Sequence, residues 1–226
     1  LVCQKINLKP GMQVLDIGCG FGSFAGYAAE KYGARVTGVT VSRQQYELGN
    51  ERYKNLSVEL KLMDYRDVSG IYDRVISIGT MEHIGCKNYR TYMEVVNRTL
   101  KDDGIAFIHT IGSNVSTSTC DPWTVKYIFP NSVLPSMAQL GSSMENLFIM
   151  EDWHNIGPHY DQTLMAWYHN FEQAWPELEP NYGDRFFRMW KYYLLSCAGG
   201  FRSRNTQLWQ IVMSKPHRDQ PPCRIS

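Results

Sequence analysis

The segment Val14–Gly22, reading VLDIGCGFG, constrains this chain more than any other. An apolar strand runs into Asp16, and Gly18, Gly20 and Gly22 then turn the backbone into a helix. Glycines at such a turn let the main chain pass close to a ligand, because no Cβ intrudes and positive φ is free. The spacing is not the dinucleotide fingerprint G-x-G-x-x-G, since Ser23 stands where the third glycine belongs. A strand, a glycine turn and a helix commit this region to a βαβ unit. Taken alone, they leave a ligand-free turn as the alternative.

Strand and helix signals alternate around that unit. Gln13–Ile17, Arg35–Val39, Val58–Leu62, Arg74–Ile78 and Ile105–His109 read as strands. Phe21–Tyr32, Ser42–Tyr53 (with Ser42 as N-cap) and Tyr89–Leu100 read as helices, the last closed by a turn at Lys101–Gly104. This order predicts right-handed crossovers and an α/β fold with a doubly wound, mostly parallel sheet. The 226 residues suit one sizeable domain that buries its core without staples. After residue 112 the alternation stops. Val115–Pro135 is irregular, helices follow at Ser136–Ser143, Tyr160–Trp175 and Asp184–Ala198, and strands at Phe148–Asp152 and Gln207–Val212. The expected organisation is a cofactor-binding half (1–112), a mainly helical acceptor-side region (113–204) and a final strand (205–215).

Composition narrows the function classes. Lys and Arg number 23 against 22 Asp and Glu, a net charge of +1 that lacks a nucleic-acid binder's electrostatic footprint. Six scattered cysteines with no C-x-x-C pair form neither a metal set nor a disulfide framework, so no metal and a reducing cytoplasm are expected. No apolar run approaches a membrane span, and no signal peptide is visible. The chain opens at Leu1 without Met and reads as a piece of something longer.

Asp16-x-Gly18-x-Gly20-x-Gly22 resembles the first motif of S-adenosylmethionine-dependent methyltransferases. That class usually ends its second strand in a carboxylate for the ribose hydroxyls. Here the strand ends Gly38-Val39-Thr40-Val41-Ser42, leaving Gln45 to supply the acceptor. At the end of the third strand, Tyr65 is placed to stack on adenine, with Asp64 or Arg66 at its edge; an exposed acidic turn is the competing reading. Glu82 and His83 follow strand four, and His109 ends strand five. Neighbouring parallel strands carry Glu82 and His109 to the same carboxyl edge, which favours a polar constellation over two isolated structural residues.

GCGFG, GVTVS, DYRD, MEHIG, HTIGS, DPWTVKYIFPN, MEDWHNIGPHYDQTLMAWY and CAGGFR together resemble the cyclopropane-fatty-acyl-phospholipid synthases, in order and across nearly the whole chain. The resemblance implies a seven-stranded class I methyltransferase sheet with a helical insertion before the last strand. It assigns Asp16, Gly18, Gly20, Gly22, Thr40, Val41, Gln45, Tyr65 and Arg66 to S-adenosylmethionine. Glu82, His109, Ile111 (through its backbone) and Tyr168 would hold a bicarbonate ion. Cys197 matches a cysteine treated in the family as the nucleophile; direct methyl transfer needs no covalent enzyme intermediate, so a packed helical cysteine stands beside that role. The family also carries an N-terminal domain and a linker that this sequence lacks.

The implied reaction adds a methylene group to the cis double bond of an unsaturated phospholipid at a membrane surface, from the cytoplasmic side. A homodimer is an admissible assembly. Methyl transfer to an alkene leaves a carbocation that water would quench, so Trp123, Tyr127, Phe129, Trp167, Tyr168 and Phe171 are candidate shielding rings or plain core. The alternatives are a small-molecule N-methyltransferase, a fatty-acyl C-methyltransferase on the same template, and a non-catalytic cofactor-binding remnant.

Overall fold

The computed structural model describes residues 1–224. Its seven strands are β1 (Gln13–Ile17), β2 (Arg35–Thr40), β3 (Val58–Leu62), β4 (Tyr72–Ile78), β5 (Leu100–Ser113), β6 (Ile149–Asn155) and β7 (Thr206–Ser214). They form one sheet in the order β3-β2-β1-β4-β5-β7-β6. The first five are parallel, and β7 runs antiparallel between β5 and β6. The central strands β1 and β4 bury consecutive apolar residues, as strands covered on both faces must.

Helices α1 (Val2–Lys5), α2 (Ser23–Tyr32) and α3 (Arg43–Tyr53) cover one face; α5 (Tyr89–Thr99) and α7 (Met137–Met144) cover the other. In α5, Tyr89, Tyr92, Met93 and Val96 are buried at helical spacing. Each such side chain contributes roughly 1.5–3 kcal/mol by leaving water. Ser42 caps α3 through the Gln45 amide, as its sequence position predicts.

Three expectations change. Lys101–Gly104 is not a closing turn but the opening of β5, where four residues bulge against the single Asp73 of β4. Within Val115–Pro135, α6 (Pro122–Tyr127) forms because Asp121 accepts from the Trp123 and Thr124 amides. The two helices expected after β6 are arms of one element, α8 (Gly157–Arg202), which bends at Gly183 with φ 68° and ψ 167°. The arms pack antiparallel: Asp161 pairs with Arg202, and Phe171 stacks on Phe187. A separate cluster of Leu164, Tyr168, Phe171, Leu194, Ala198 and Phe201 seats this hairpin on Leu208 of β7.

A buried ion pair ties the first helix to the edge strand, with Lys5 Nζ 2.9 Å from Asp152 of β6 and Arg224 on the other carboxylate oxygen. Burial acts to raise the Asp152 carboxyl, but Lys5 and Arg224 outweigh it and hold it below its ordinary value. Removing one member strands the other without solvent. Asp152→Ala is therefore expected to lower stability by about 3–5 kcal/mol in urea unfolding, while Lys5→Met with Asp152→Leu recovers most of that loss. A double variant no more stable than the single would show that packing, not charge, holds the two elements together.

Candidate active site

The strand order reverses between β1 and β4, and a cavity of about 670 Å³ opens at their carboxyl ends. It is lined by Gly18, Gly20, Thr40, Val41, Gln45, Tyr65 and Arg66, seven residues singled out in the sequence. Thr40 donates to Gln45 Oε1 at 2.7 Å, so strand end and helix present their polar groups as one unit. Asp64 accepts from the Arg66 guanidinium at 2.7 and 2.9 Å, which fixes that side chain beside Tyr65. Thr80, Ile84 and the exposed His83 close the opposite wall.

The three glycines do different things. A Cβ on Gly20 would meet nothing within 4 Å, so this position faces open cavity. A Cβ on Gly18 would fall 2.2 Å from Thr80 Oγ1, a hydroxyl that donates to the Ile17 carbonyl; Gly18 brings β1 and β4 together as well as lining the cavity. Gly22 lies off the cavity, at the N-cap of α2 with φ 78°, where a Cβ would press on Leu60 and Tyr53 at 3.2 Å. Its missing Cβ makes room for those two side chains. Asp16 does not line the cavity either. It is buried beneath it, and burial alone pushes its carboxyl up to about 7.

Glu82 sits on the short helix α4 (Met81–Ile84), 7% exposed, and Oε1 accepts from the Ile111 amide at 2.7 Å. Oε2 is buried without a partner. Burial raises the Glu82 carboxyl, and the Ile111 amide and the Thr110 hydroxyl oppose that rise. The predicted convergence of Glu82 with the Ile111 backbone is thus present. His109 lies two residues before Ile111 on β5, and burial lowers its imidazole to about 4, so it is neutral near pH 7.

Two tyrosines exchange places. The Tyr168 hydroxyl donates to Glu172 one turn along its own helix, and Lys191 lies 5.4 Å from its ring centre. Among the described residues no hydrogen bond joins Tyr168 to Glu82 or His109. Tyr160, in the first turns of α8, stands near enough to Glu82 and Cys197 that both charges, after burial, raise its phenol. The two tyrosines are eight residues apart, about 12 Å along a helix, and only the earlier one is at the sheet's carboxyl edge. The signal was available: a helix that follows a strand begins at that edge. Cys197 is half-buried near Tyr160, and its thiol is raised to about 11, first by burial and then by Cys120 and Asp121. A thiol of that kind carries almost no thiolate at neutral pH and is a poor nucleophile.

Among the described residues no group of three His, Cys, Asp or Glu is arranged for a metal, and no helix is long and apolar enough to cross a membrane. A family model described as Mycolic acid cyclopropane synthetase matches residues 1–211. The chain belongs to that family. The cyclopropane-fatty-acyl-phospholipid synthase of Escherichia coli strain K12 is 54% identical over 95% of this chain, which spans 56% of that relative. Sphingolipid C9-methyltransferase A of Emericella nidulans is 35% identical over 95% of the chain and 44% of its own length. Among solved structures, mycolic acid cyclopropane synthase CmaA1 complexed with SAH and CTAB superposes with a TM-score of 0.86 at 27% identity, over 94% of this chain and 81% of that one. The chain thus spans about half the length of the curated relatives it matches.

Gln210 is a residue that sequence reasoning missed. It is the register partner of His109 across β5 and β7, and its Nε2 lies 3.3 Å from His109 Nδ1. A donor there makes Nδ1 the acceptor and leaves the ring proton on Nε2. In ¹⁵N NMR, His109 is expected as the neutral Nε2–H tautomer at pH 7, with Gln210→Glu inverting it; an unchanged spectrum would remove Gln210 from this role. Stability should follow the depressed imidazole. Because the folded value, about 4, lies below the ordinary 6.5, the contribution is complete above 6.5 and lost as pH falls toward 4. His109→Gln should flatten that part of the profile.

Proposed function

We propose that this chain is the catalytic part of an enzyme that transfers a methylene group from S-adenosylmethionine to the cis double bond of an unsaturated phospholipid acyl chain, forming a cyclopropane ring. The observation that carries this reading is Glu82. A buried carboxylate with one oxygen spent on a backbone amide and the other unpartnered calls for a polar ligand at the sheet's carboxyl edge. The name of the E. coli relative supports the substrate class, and the SAH in the CmaA1 complex supports the cofactor. On this reading the reaction occurs at a membrane surface, with the lipid chain entering from the side of α6 and α8.

Gly18 and Gly20 leave room for the cofactor's amino-acid end, Thr40, Val41 and Gln45 face its ribose, and Tyr65 with Arg66 flanks its adenine. When bound, S-adenosylmethionine supplies an electrophilic methyl carbon and bicarbonate supplies a proton acceptor. Glu82 Oε2 would accept from the bicarbonate hydroxyl, and the Nε2–H of neutral His109 would donate to one of its oxygens. Tyr160 supplies the phenol assigned in the sequence to Tyr168. Phe129, edge-on to His83 at 5.5 Å, and Tyr193 beyond it keep water away from the acceptor. Holding the alkene in line with the methyl group contributes roughly 7–11 kcal/mol toward such a step.

Cofactor binding is tested at Gly20. A Cβ at position 20 meets no atom of the chain within 4 Å, so beyond the roughly 1–2 kcal/mol of left-handed strain Gly20→Val should spare the fold and abolish calorimetric binding of S-adenosylmethionine. Wild-type affinity would sink the assignment.

The reaction is tested with labelled methyl incorporation into unsaturated phospholipid vesicles. Glu82→Gln should leave cofactor affinity within a few-fold while turnover falls by about 10²–10⁴, the loss expected of a misplaced base. Tyr160→Phe should raise the bicarbonate needed for maximal rate, and Tyr168→Phe should not. Methylation of amines but not of alkenes would move the chain to the N-methyltransferase reading.

A further inference from the structure

The second arm of α8 carries two stripes. Phe186, Trp190, Tyr193 and Cys197 follow one another at helical spacing on the inner side, packed in or against the hairpin cluster. Arg185, Arg188, Met189 and Tyr192 follow at the same spacing on another side, where they meet Trp123 and Tyr127 of α6. Between the two helices lies a shallow hollow of about 300 Å³ lined by these six residues. Trp123 packs edge-on against Tyr192 at 4.6 Å, so the rings form a wall and not a loose fringe.

The hollow is electropositive. Lys126 lies 5.0 Å from the Tyr127 ring centre. Among the described residues, Lys126, Arg185 and Arg188 join no ion pair, whereas Lys191, one turn on, is engaged with Glu172 at 3.9 Å. The field is felt locally: Lys126 first, then Arg185, holds the Tyr127 phenol below its ordinary value. Unneutralised cations cost little in water, but three around one hollow favour an anion there. Guanidinium groups suit a phosphate, with two parallel N–H donors for its oxygens. Half-exposed Trp and Tyr beside them suit the boundary between headgroups and acyl chains.

A run of aromatic contacts links the helix that walls the hollow to the candidate active site. Tyr193, the residue after Tyr192, packs edge-on to Phe129 at 6.0 Å, and Phe129 packs on His83 at 5.5 Å. His83 lines the glycine-turn cavity. A phosphate at Arg185 and Arg188 would therefore sit one layer of rings away from the reacting edge.

We propose that the groove between α6 and the second arm of α8 is a seat for the phosphodiester headgroup of an anionic glycerophospholipid at a bilayer surface, held by Arg185, Arg188 and Lys126 and flanked by Trp123, Tyr127 and Tyr192. The identity of the lipid rests on the proposed function; the phosphate chemistry does not. The net charge of +1 gives the chain no broad attraction to anionic membranes, so vesicle affinity reads this groove.

The test is partition of the 226-residue chain onto vesicles of dioleoylphosphatidylglycerol, without S-adenosylmethionine. Arg185→Gln with Arg188→Gln should weaken partition by about 30-fold, roughly fivefold for each surface cation. Lys9→Gln with Arg35→Gln removes the same charge from exposed positions at the opposite edge of the sheet, and should change partition less than threefold. Equal losses in the two double variants would mean diffuse adsorption and overturn the proposal. So would competition by inorganic phosphate at the vesicles' lipid concentration, which marks a free-phosphate site, or equal competition by polyglutamate, which marks an acidic-protein site. If the arginine pair proves unstable on melting, Arg188→Gln alone carries the comparison at about fivefold. Vesicle partition is independent of methyl transfer. Loss of lipid methylation with wild-type partition would count against the reaction, and lost partition confined to the arginine variant would support the seat even if the reaction differs.

Discussion

Everything in this molecule depends on the reversal of strand order between β1 and β4. To one side of the reversal the crossovers lie on one face of the sheet, and to the other side they lie on the opposite face, so the carboxyl ends of the two strands diverge and cannot be closed by their own loops. The glycine turn after β1 and the short helix after β4 border that opening. Glycine is needed at two points for opposite reasons. At position 18 the chain approaches Thr80, and at position 20 it faces open space that a ligand can enter. The same edge receives Glu82, the Ile111 amide and the start of α8, because each follows or ends a strand pointing that way.

A second consequence is electrostatic. Asp16, Glu82 and His109 all lie at or below this edge, and burial moves each toward its neutral form: the carboxyls upward, the imidazole downward. An edge that disfavours charge in its own side chains has few waters to lend. A positively charged ligand placed above Asp16 would draw that carboxyl back toward ionisation. Cys197 belongs to the same pattern, since burial keeps it a thiol.

Much of this was legible in the sequence. Strands rich in apolar residues, such as VLDI and RVISI, fell where they were read, and the cavity is lined by seven residues that the glycine motif, the strand ends and the family resemblance had picked out. The misses have physical causes. Lys101–Gly104 has turn chemistry, but the neighbouring β4 holds it in the sheet as a bulge. Gly22 looks like its two fellow glycines in a motif, yet its φ serves a helix cap and its missing Cβ makes room for Tyr53. Gln210 gave no signal, because its meaning depends on the antiparallel register that sets β7 against β5. Tyr168 was assigned through the family resemblance alone, whereas Tyr160 is the tyrosine that lies in the first turns after the strand end.

The helical hairpin shows how one segment serves two environments. An ordinary helix of the insertion would need only one apolar stripe against the sheet. The second arm of α8 has an inner stripe that packs into the hairpin cluster and an outer stripe that is basic and aromatic, with Gly183 setting the angle at which both are presented. Pro176 and Pro180 precede that bend and weaken the first arm's backbone bonding where it must end. Cross-arm contacts at Asp161–Arg202 and Phe171–Phe187 then hold the two arms in register. The aromatic excess of the second half follows from this double duty. Rings supply broad apolar area with few rotatable bonds, and they pack equally well against a core, an alkyl chain or a cation.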